Sequence, residues 1–516
     1  MALSNNMRHL AKQAATAALL LSGYSGIAAA QNTTSQPTAT SSSTACASIL
    51  TPSYSPPVAA EGWSAQLIAT GLSNPRGMVF DSKGALLVVE SRVGITRLTF
   101  NDSGGTCLSV ASKETIVSDL GLNHAIELSD DGRTLYASTS ESVYSWPYDP
   151  DRTTVENRRT LVHNMNPGGH PTRTLLLSRK VPGLLLISQG SAENIDPLAA
   201  DRSSGLSQIR AFNLTNMTDD PQPYNYASDG LLIGWGLRNS VGVAEHPVTG
   251  GIFSVENSAD EIHRRGQDIH EDNPGEELNF HGYLNDSSSF GGNYGYPNCF
   301  ALWNTSDIPE RGNLTVGSQF VIDDSVNEAI TDETCARDYT PPRLTFRAHM
   351  APLDIKFLPS SGSRAFISFH GSWNRDQPAG YRVSSVFFSE STGQPTEPPD
   401  SITAAVDVLY NPDLSVCPRG CLRPAGLAFD PATEERLFVS SDATGEIWVL
   451  RQTSPAPDPT STWSASLSTD ANGGRGPTSS AAAGLGSRSG FGTDGGMMGW
   501  LTTIMVAVGC VFVAMI

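Results

Sequence analysis

An all-β, six-bladed β-propeller is the fold class that the sequence predicts, on three observations. Six segments share one plan: an apolar strand, a turn rich in Asp, Ser, Pro or Gly, and a second strand of the "LLVVE" or "LFVSS" type. The repeat runs through residues 58–451, a stretch longer than the ~250–300 residues that one ordinary core supports. Repeat folds escape that limit because each unit buries a modest face against its neighbour. The repeat also crosses the point where two β-sandwich domains, the competing architecture, would have to divide.

Taken in order, residues 1–30 place Arg8 and Lys12 ahead of the apolar run "AATAALLLSGYSGIAAA", the plan of a secretory signal peptide cleaved after Ala30. Residues 31–57 are Ser/Thr/Pro-rich and expected to be extended. The six units follow at 75–100, 124–148, 174–191, 241–262, 354–375 and 425–451. Each is read as a hairpin with period-two alternation and often a third strand. Residues 452–489 form a second Ser/Gly/Pro-rich linker, and 490–516 end in the uncharged "WLTTIMVAVGCVFVAMI". Small residues upstream of that tail suit a GPI-anchor signal with attachment between Ser479 and Ser489; a simple tail anchor is the alternative. A chain with these ends is expected outside the cell, held to the membrane only by its lipid.

Seven cysteines are present, and Cys510 lies in the tail expected to be removed. The other six, even in number and in an oxidising compartment, suit three disulfides: Cys417 with Cys421, Cys299 with Cys335, and Cys46 with Cys107. Sequons at Asn32, Asn101, Asn213, Asn216, Asn285, Asn304 and Asn313 suit a glycosylated surface. A net charge of −19 argues against nucleic acid as a partner. An anionic ligand would need a local cluster of arginines.

Propellers gather chemistry where inner-strand loops converge, so polar residues beside the inner strands are the candidates. They are Arg76, Asn123, His124, His170, Arg173, Ser191, Asn194, Asp196, Arg238, Asn239, His349, Trp373, Asn374, Arg375 and Arg423. Each alone has an ordinary structural reading. Their recurrence at equivalent places in successive units points to a shared site.

The ordered motifs "GGHPTRTLLLS", "GWGLRNSVGVAEHP", "GGNYGYPNC", "AHMAPLDIKF", "FHGSWNRDQPAGYRV" and "RPAGLAFDP" resemble those of the soluble aldose, sorbosone and pyranose dehydrogenases that depend on pyrroloquinoline quinone (PQQ), especially their fungal secreted branch. The resemblance implies a propeller that holds PQQ and Ca²⁺ over its channel mouth and oxidises a monosaccharide. By position, five residues before the strand leucine, His170 matches the histidine that removes the hydroxyl proton. His124 is the alternative base. The resemblance further implies cofactor contacts from Arg238, Asn239, His349, Trp373, Asn374, Arg375 and Arg423, and Ca²⁺ on the backbone carbonyls of Asn257 and Ser258. Arg76 and His124, beside the first two inner strands, are further cofactor candidates. Thr174 stands where relatives carry arginine, which leaves the role of Arg173 open.

The chemistry of the residues agrees with that expectation. PQQ carries three carboxylates, and Arg238, Arg375 and Arg423 offer the bidentate cations that bind them. A hard cation takes oxygen ligands and polarises a quinone oxygen. A histidine with a pKa near 6.5 is suited to proton abstraction. No Cys-x-x-Cys-His is present, so a monomeric enzyme is expected to pass electrons to an external acceptor: a cytochrome-bearing protein or a small quinone or metal species.

Three further readings stay open. A non-catalytic cell-surface propeller would have no reason to keep His170, Arg238, Arg375 and Arg423 together. A calcium-dependent lactonase would need several side-chain ligands, for which Asp196 and Asn194 are the candidates. The acidic stretch 263–293, with Glu271, Asp272, Glu276 and Glu277, could take a second Ca²⁺ or be a solvated loop.

Overall fold

The computed structural model describes Cys46, residues 49–217 and residues 222–454. The expected signal peptide, residues 31–45 of the N-terminal segment, residues 455–489 of the 452–489 linker and the anchor signal lie outside the described residues. Six antiparallel sheets of four principal strands each form the propeller, numbered here as blades 1 to 6 along the chain. Their inner strands are Pro75–Phe80, Ile126–Leu128, Leu175–Leu177, Ser240–Glu245, Pro352–Phe357 and Pro424–Phe429. Each inner strand approaches the next, and the sixth approaches the first, so the ring is closed.

The alternation in the second strands explains why the blades stack. In Leu86–Glu90 every side chain is buried. Leu86 and Val88 join an apolar cluster shared with blade 6, and Leu87 and Val89 one shared with blade 2. Four more clusters join blades 2 and 3, 3 and 4, 4 and 5, and 5 and 6. Period-two alternation here is therefore between two neighbours rather than between core and water.

Near the axis the inner strands crowd. A Cβ on Gly426 would stand 2.1 Å from the Arg76 carbonyl oxygen, and one on Gly77 2.3 Å from that of His124. Glycine is the residue that allows this approach. The ring closes through the N-terminus: Trp63–Ala69 pairs with Glu446–Gln452 as the outer strand of blade 6. Val58–Ala59 extends blade 5 in the same way, against Val406–Tyr410.

Two findings correct or extend the sequence reading. Glu276 and Glu277 do not belong to a solvated insertion: they open Glu276–Tyr283, the third strand of blade 4, and both are buried. The chain then makes an excursion over 284–343 before the outer strand Leu344–Phe346. This excursion carries its own apolar cluster, in which Phe300, Phe320 and Tyr296 pack with Ala199 and Ile262 from the loops of blades 3 and 4. The disulfides are Cys46–Cys107, Cys299–Cys335 and Cys417–Cys421, the expected pairs.

Candidate functional site

In a four-stranded blade the turn from the second to the third strand and the connection into the next blade leave from the same end. Both sets of loops line one open pocket at the mouth, about 470 Å³ in volume with its open solvent included. From the inter-blade connections come His170, Arg238, Asn239, His349, Ala351 and Arg423. From the second turns of blades 4 and 5 come Asn257, Ser258, Asp260, Pro274, His370, Ser372, Trp373 and Asn374, and from the start of a third strand Glu276.

His170 is fixed before it meets anything in the pocket. Gly169 precedes it with φ 58°, and a Cβ there would lie 2.3 Å from the Ala192 carbonyl oxygen, so the loop can press against its neighbour only with glycine. The His170 backbone N–H donates to the Ser191 carbonyl at 3.1 Å. Its Nδ1 lies 2.9 Å from the same carbonyl oxygen. A carbonyl only accepts, so Nδ1 carries the proton and Nε2 keeps its lone pair. Burial, then the Arg238 charge, pushes the imidazole pKa down to about 3, with Arg173 adding to the effect. Arg173 itself is a clamp: fully buried, it donates to the carbonyls of His170 and Thr172 at 2.7 Å each and to that of Asn166. Its part is to hold the loop that presents His170.

The cations differ in how much of their capacity is already taken. Arg238 donates to Asn194 Oδ1 at 2.9 Å, to the Asn194 carbonyl at 3.1 Å and to Asp260 at 3.1 Å. It also donates to the carbonyls of Ser258 at 2.6 Å and Asn257 at 3.3 Å. Arg423 donates to the carbonyls of His370 and Gly371, at 3.3 and 3.4 Å, lies over the Tyr381 ring at 5.9 Å, and has no ion pair among the described residues. His349 stands between two acceptors, the His270 carbonyl 2.6 Å from Nε2 and Asp260 Oδ1 3.3 Å from Nδ1. Burial works against its charge, but the Asp260 carboxylate and the His270 carbonyl outweigh it and raise its pKa. Both ring nitrogens thus face acceptors, an arrangement that favours the doubly protonated ring. Asp260 is the hub of this wall, also accepting from Asn374 Nδ2 at 3.1 Å. Burial opposes its charge too, and its pKa is nonetheless lowered by His349 and Arg238.

Eight of the candidates lie outside the pocket lining: Asn123, Arg173, Ser191, Asn194 and Asp196, and the three expected cofactor contacts Arg76, His124 and Arg375. Arg76 pairs with Asp442 at 2.6 Å and donates from Nε to His124 Nδ1 at 3.2 Å. His124 is thereby engaged and buried behind the site, its pKa lowered by burial and by Arg76, and is not placed as a base. Arg375 turns from the pocket to Asp272 at 3.0 Å and Glu271 at 3.7 Å. These two acids are its partners, not a metal site, and no group of three His, Cys, Asp or Glu among the described residues could hold a metal ion.

The carbonyls of Asn257 and Ser258 do converge, but on the Arg238 guanidinium. A Ca²⁺ at that point would meet a like charge, so the residues as arranged do not fit the ion there. They do fit a flat anion. Arg423 has no carboxylate partner among the described residues, and Trp373 lies 57% exposed in the lining as a stacking face. Asn374 Oδ1 and His370 Nδ1, buried without a partner, are acceptors open to an N–H or O–H group.

The sequence did not single out Asp260 or His370, and pointed to Glu276 only as one acid of the stretch 263–293. A signal was available. The residue directly after the second strand is Gly190, Asn257, His370 and Asp442 in blades 3 to 6, and all four stand at the mouth or just behind it. Aligning the units on their second strands would have flagged His370 and Asp442 together.

Comparisons with known proteins bear on the same region. A sequence model of the TrAA12-like family matches residues 57–453. The pyrroloquinoline quinone-dependent sugar dehydrogenase of Hypocrea jecorina is 52% identical over 401 residues, 77% of this chain and 90% of that protein. The pyrroloquinoline quinone-dependent pyranose dehydrogenase of Coprinopsis cinerea is 37% identical over 408 residues, and the chain spans 54% of its length. Among solved structures, an iodide structure of a carbohydrate-active enzyme family AA12 protein from Trichoderma reesei aligns with TM-score 0.76 and 52% identity, over 78% of this chain and 100% of that one. The holo form of the PQQ domain of the C. cinerea pyranose dehydrogenase aligns with TM-score 0.73 and 35% identity, over 79% and 99%. With the family matched across the whole propeller, the chain belongs to the TrAA12-like family.

Proposed function

We propose that this chain is a PQQ-dependent sugar dehydrogenase that oxidises an aldose or ketoaldose and passes the electrons to an external acceptor. The observation that carries the reading is the mouth pocket, where Arg423, without a carboxylate partner among the described residues, stands beside a histidine whose bare nitrogen is held ready. Arg423 would hold a carboxylate of the cofactor, Arg238 and His349 would complete the wall, Asn374 Oδ1 would accept from an N–H of the ring system, and Trp373 would cover its flat face. When bound, PQQ supplies the two-electron acceptor for hydride leaving the sugar carbon.

The rest is the work of the chain. His170 Nε2 takes the proton of the reacting hydroxyl, while its Nδ1–H on the Ser191 carbonyl fixes tautomer and ring plane. Arg173 keeps the loop from relaxing. Arg238 supplies the positive charge that the Asn257 and Ser258 carbonyls face.

Secretion and surface anchoring belong to the same proposal. The leader-like N-terminus, the uncharged tail and the three disulfides support them, and a monomer passing electrons to a separate cytochrome-bearing protein or a small quinone or metal species completes the reading. The test is turnover: the secreted protein with added PQQ should reduce an artificial acceptor with some members of a panel of aldoses and ketoaldoses. No PQQ-dependent reduction with any of them would favour a propeller that only binds.

A further inference from the structure

His370 is a buried histidine at the pocket that the function above does not use. It follows the second strand of blade 5, Arg364–Phe369, and is one of the residues that line the pocket, 3% exposed. Its Nε2 lies 2.8 Å from Asp442 Oδ1, whose other oxygen accepts from Arg76 at 2.6 Å. Asp442, paired with that guanidinium, is ionised and can only accept, so the His370 proton sits on Nε2. Nδ1 is left with a bare lone pair, buried and without a partner.

We propose that His370, oriented by Asp442, is a second acceptor for the sugar, receiving a hydrogen bond at Nδ1 from a hydroxyl other than the one that reacts at His170. This rests on the dehydrogenase reading above.

The groups that face His370 decide what Nδ1 can take. Asp442 and Arg423 approach from blade 6 and the connection before it, Arg76 from blade 1, and His124 from the connection into blade 2. Burial dominates and holds the imidazole at about 4, with Arg423 and Arg76 lowering it and Asp442 opposing them. At pH 7 about one molecule in a thousand would carry a second proton. A carboxylate of the cofactor would meet a lone pair and would need that rare form. A hydroxyl donates to the neutral ring as it stands. His170 and His370 thus offer two bare imidazole nitrogens on one pocket, a pattern suited to a polyol with more than one hydroxyl in reach. An acceptor left empty in a buried site penalises the analogue that lacks the hydroxyl.

The test uses two variants with opposite geometry. His370→Gln keeps an amide within reach of Asp442 and removes the acceptor at the Nδ1 position; His370→Asn places an amide at the Nδ1 position and gives up Asp442. With PQQ-loaded protein, H370Q should lower kcat/KM for the preferred sugar about tenfold or more, chiefly through KM, and H370N should rescue most of that loss. One monodeoxy sugar should be discriminated by the wild type and no longer by H370Q.

PQQ affinity, read by tryptophan fluorescence, should agree within about twofold among the three proteins. Proton uptake on PQQ binding, read by calorimetry in buffers of different ionisation heat, should be equal in the wild type and H370Q. Weakened PQQ binding or a lost proton in H370Q would make His370 a cofactor ligand and overturn the proposal. So would a loss in H370N that H370Q does not share, the pattern of an Asp442 anchor. A wild type without PQQ-dependent turnover would instead sink the dehydrogenase reading, and this proposal with it.

Discussion

A histidine whose Nδ1–H is engaged by a carbonyl and whose ring is buried beside a guanidinium stays neutral far below its ordinary range. For His170 this gives a specific expectation. In histidine-labelled NMR of the cofactor-free protein, its ring should remain the Nδ1–H tautomer with no titration between pH 7 and pH 5. A midpoint near the ordinary value of about 6.5 would contradict the geometry. Replacing it, His170→Asn, should cost about 10²- to 10⁴-fold in kcat while leaving PQQ affinity unchanged, since the residue acts on the substrate proton rather than on the anion. At this scale much was legible from motif order: His170, Arg238, His349 and Arg423 line the pocket. What was not legible is who has spare capacity. Arg375 and Arg423 look equivalent as letters, but Arg375 is paired with Asp272, whereas Arg423 meets two carbonyls and the Tyr381 ring and no carboxylate among the described residues. That difference is set by residues distant in sequence.

Blades show where sequence reading works and where it stops. The inner and second strands were readable because alternating apolar residues serve two neighbouring blades, as Leu86 to Val89 do. Outer strands were not. Leu344–Phe346 stands beyond the excursion of 284–343, and Trp63–Ala69 closes the sixth blade from the opposite end of the core. Pairings across such distances leave no local period to detect.

The axis glycines are the sharpest test of the packing itself. Gly426→Ala would push a methyl to 2.1 Å from a backbone oxygen that cannot rotate away. Overpacking of this kind costs about 1–3 kcal/mol or more. The melting temperature should fall by several degrees, with the mouth residues unaltered in kind. An unchanged melting temperature would mean that the inner strands are not so closely packed.

For the whole molecule, buried titratable groups set a pH window of stability. His170 and His281 are pushed down to about 3 and His370 to about 4, burial leading in each. The unfolded chain therefore takes up these protons first, and the stability they contribute is fully present above about pH 6.5 and is lost as pH falls toward 4 and 3. Glu276 and Glu277 run the other way. Burial raises both to about 7, so the folded chain binds their protons first, and that stability is lost as pH rises from about 4.5 through 7. His349, raised above 6.5, adds to the loss on the alkaline side. Each such proton is worth about 1.4 kcal/mol per pH unit where it differs between states. Between about pH 4.5 and 6.5 the two sets oppose each other, so the melting temperature should be near its highest and nearly level there. It should fall steeply below pH 4.5, where only the histidines and paired carboxylates act. A melting temperature that climbs steadily from pH 5 to pH 8 would contradict this balance.

The central claim is that the mouth pocket binds PQQ through its free cation and turns that binding into sugar oxidation. It is tested most directly by titrating PQQ into the wild type and into Arg423→Ala, with sugar and an artificial acceptor present. Turnover of the wild type should saturate at one PQQ per chain. The variant should need about 10- to 100-fold more PQQ, the loss expected for a charge-assisted contact of about 1.5–3 kcal/mol. Equal PQQ requirement in the two proteins would contradict the placement of the cofactor, and turnover indifferent to PQQ would contradict the account as a whole.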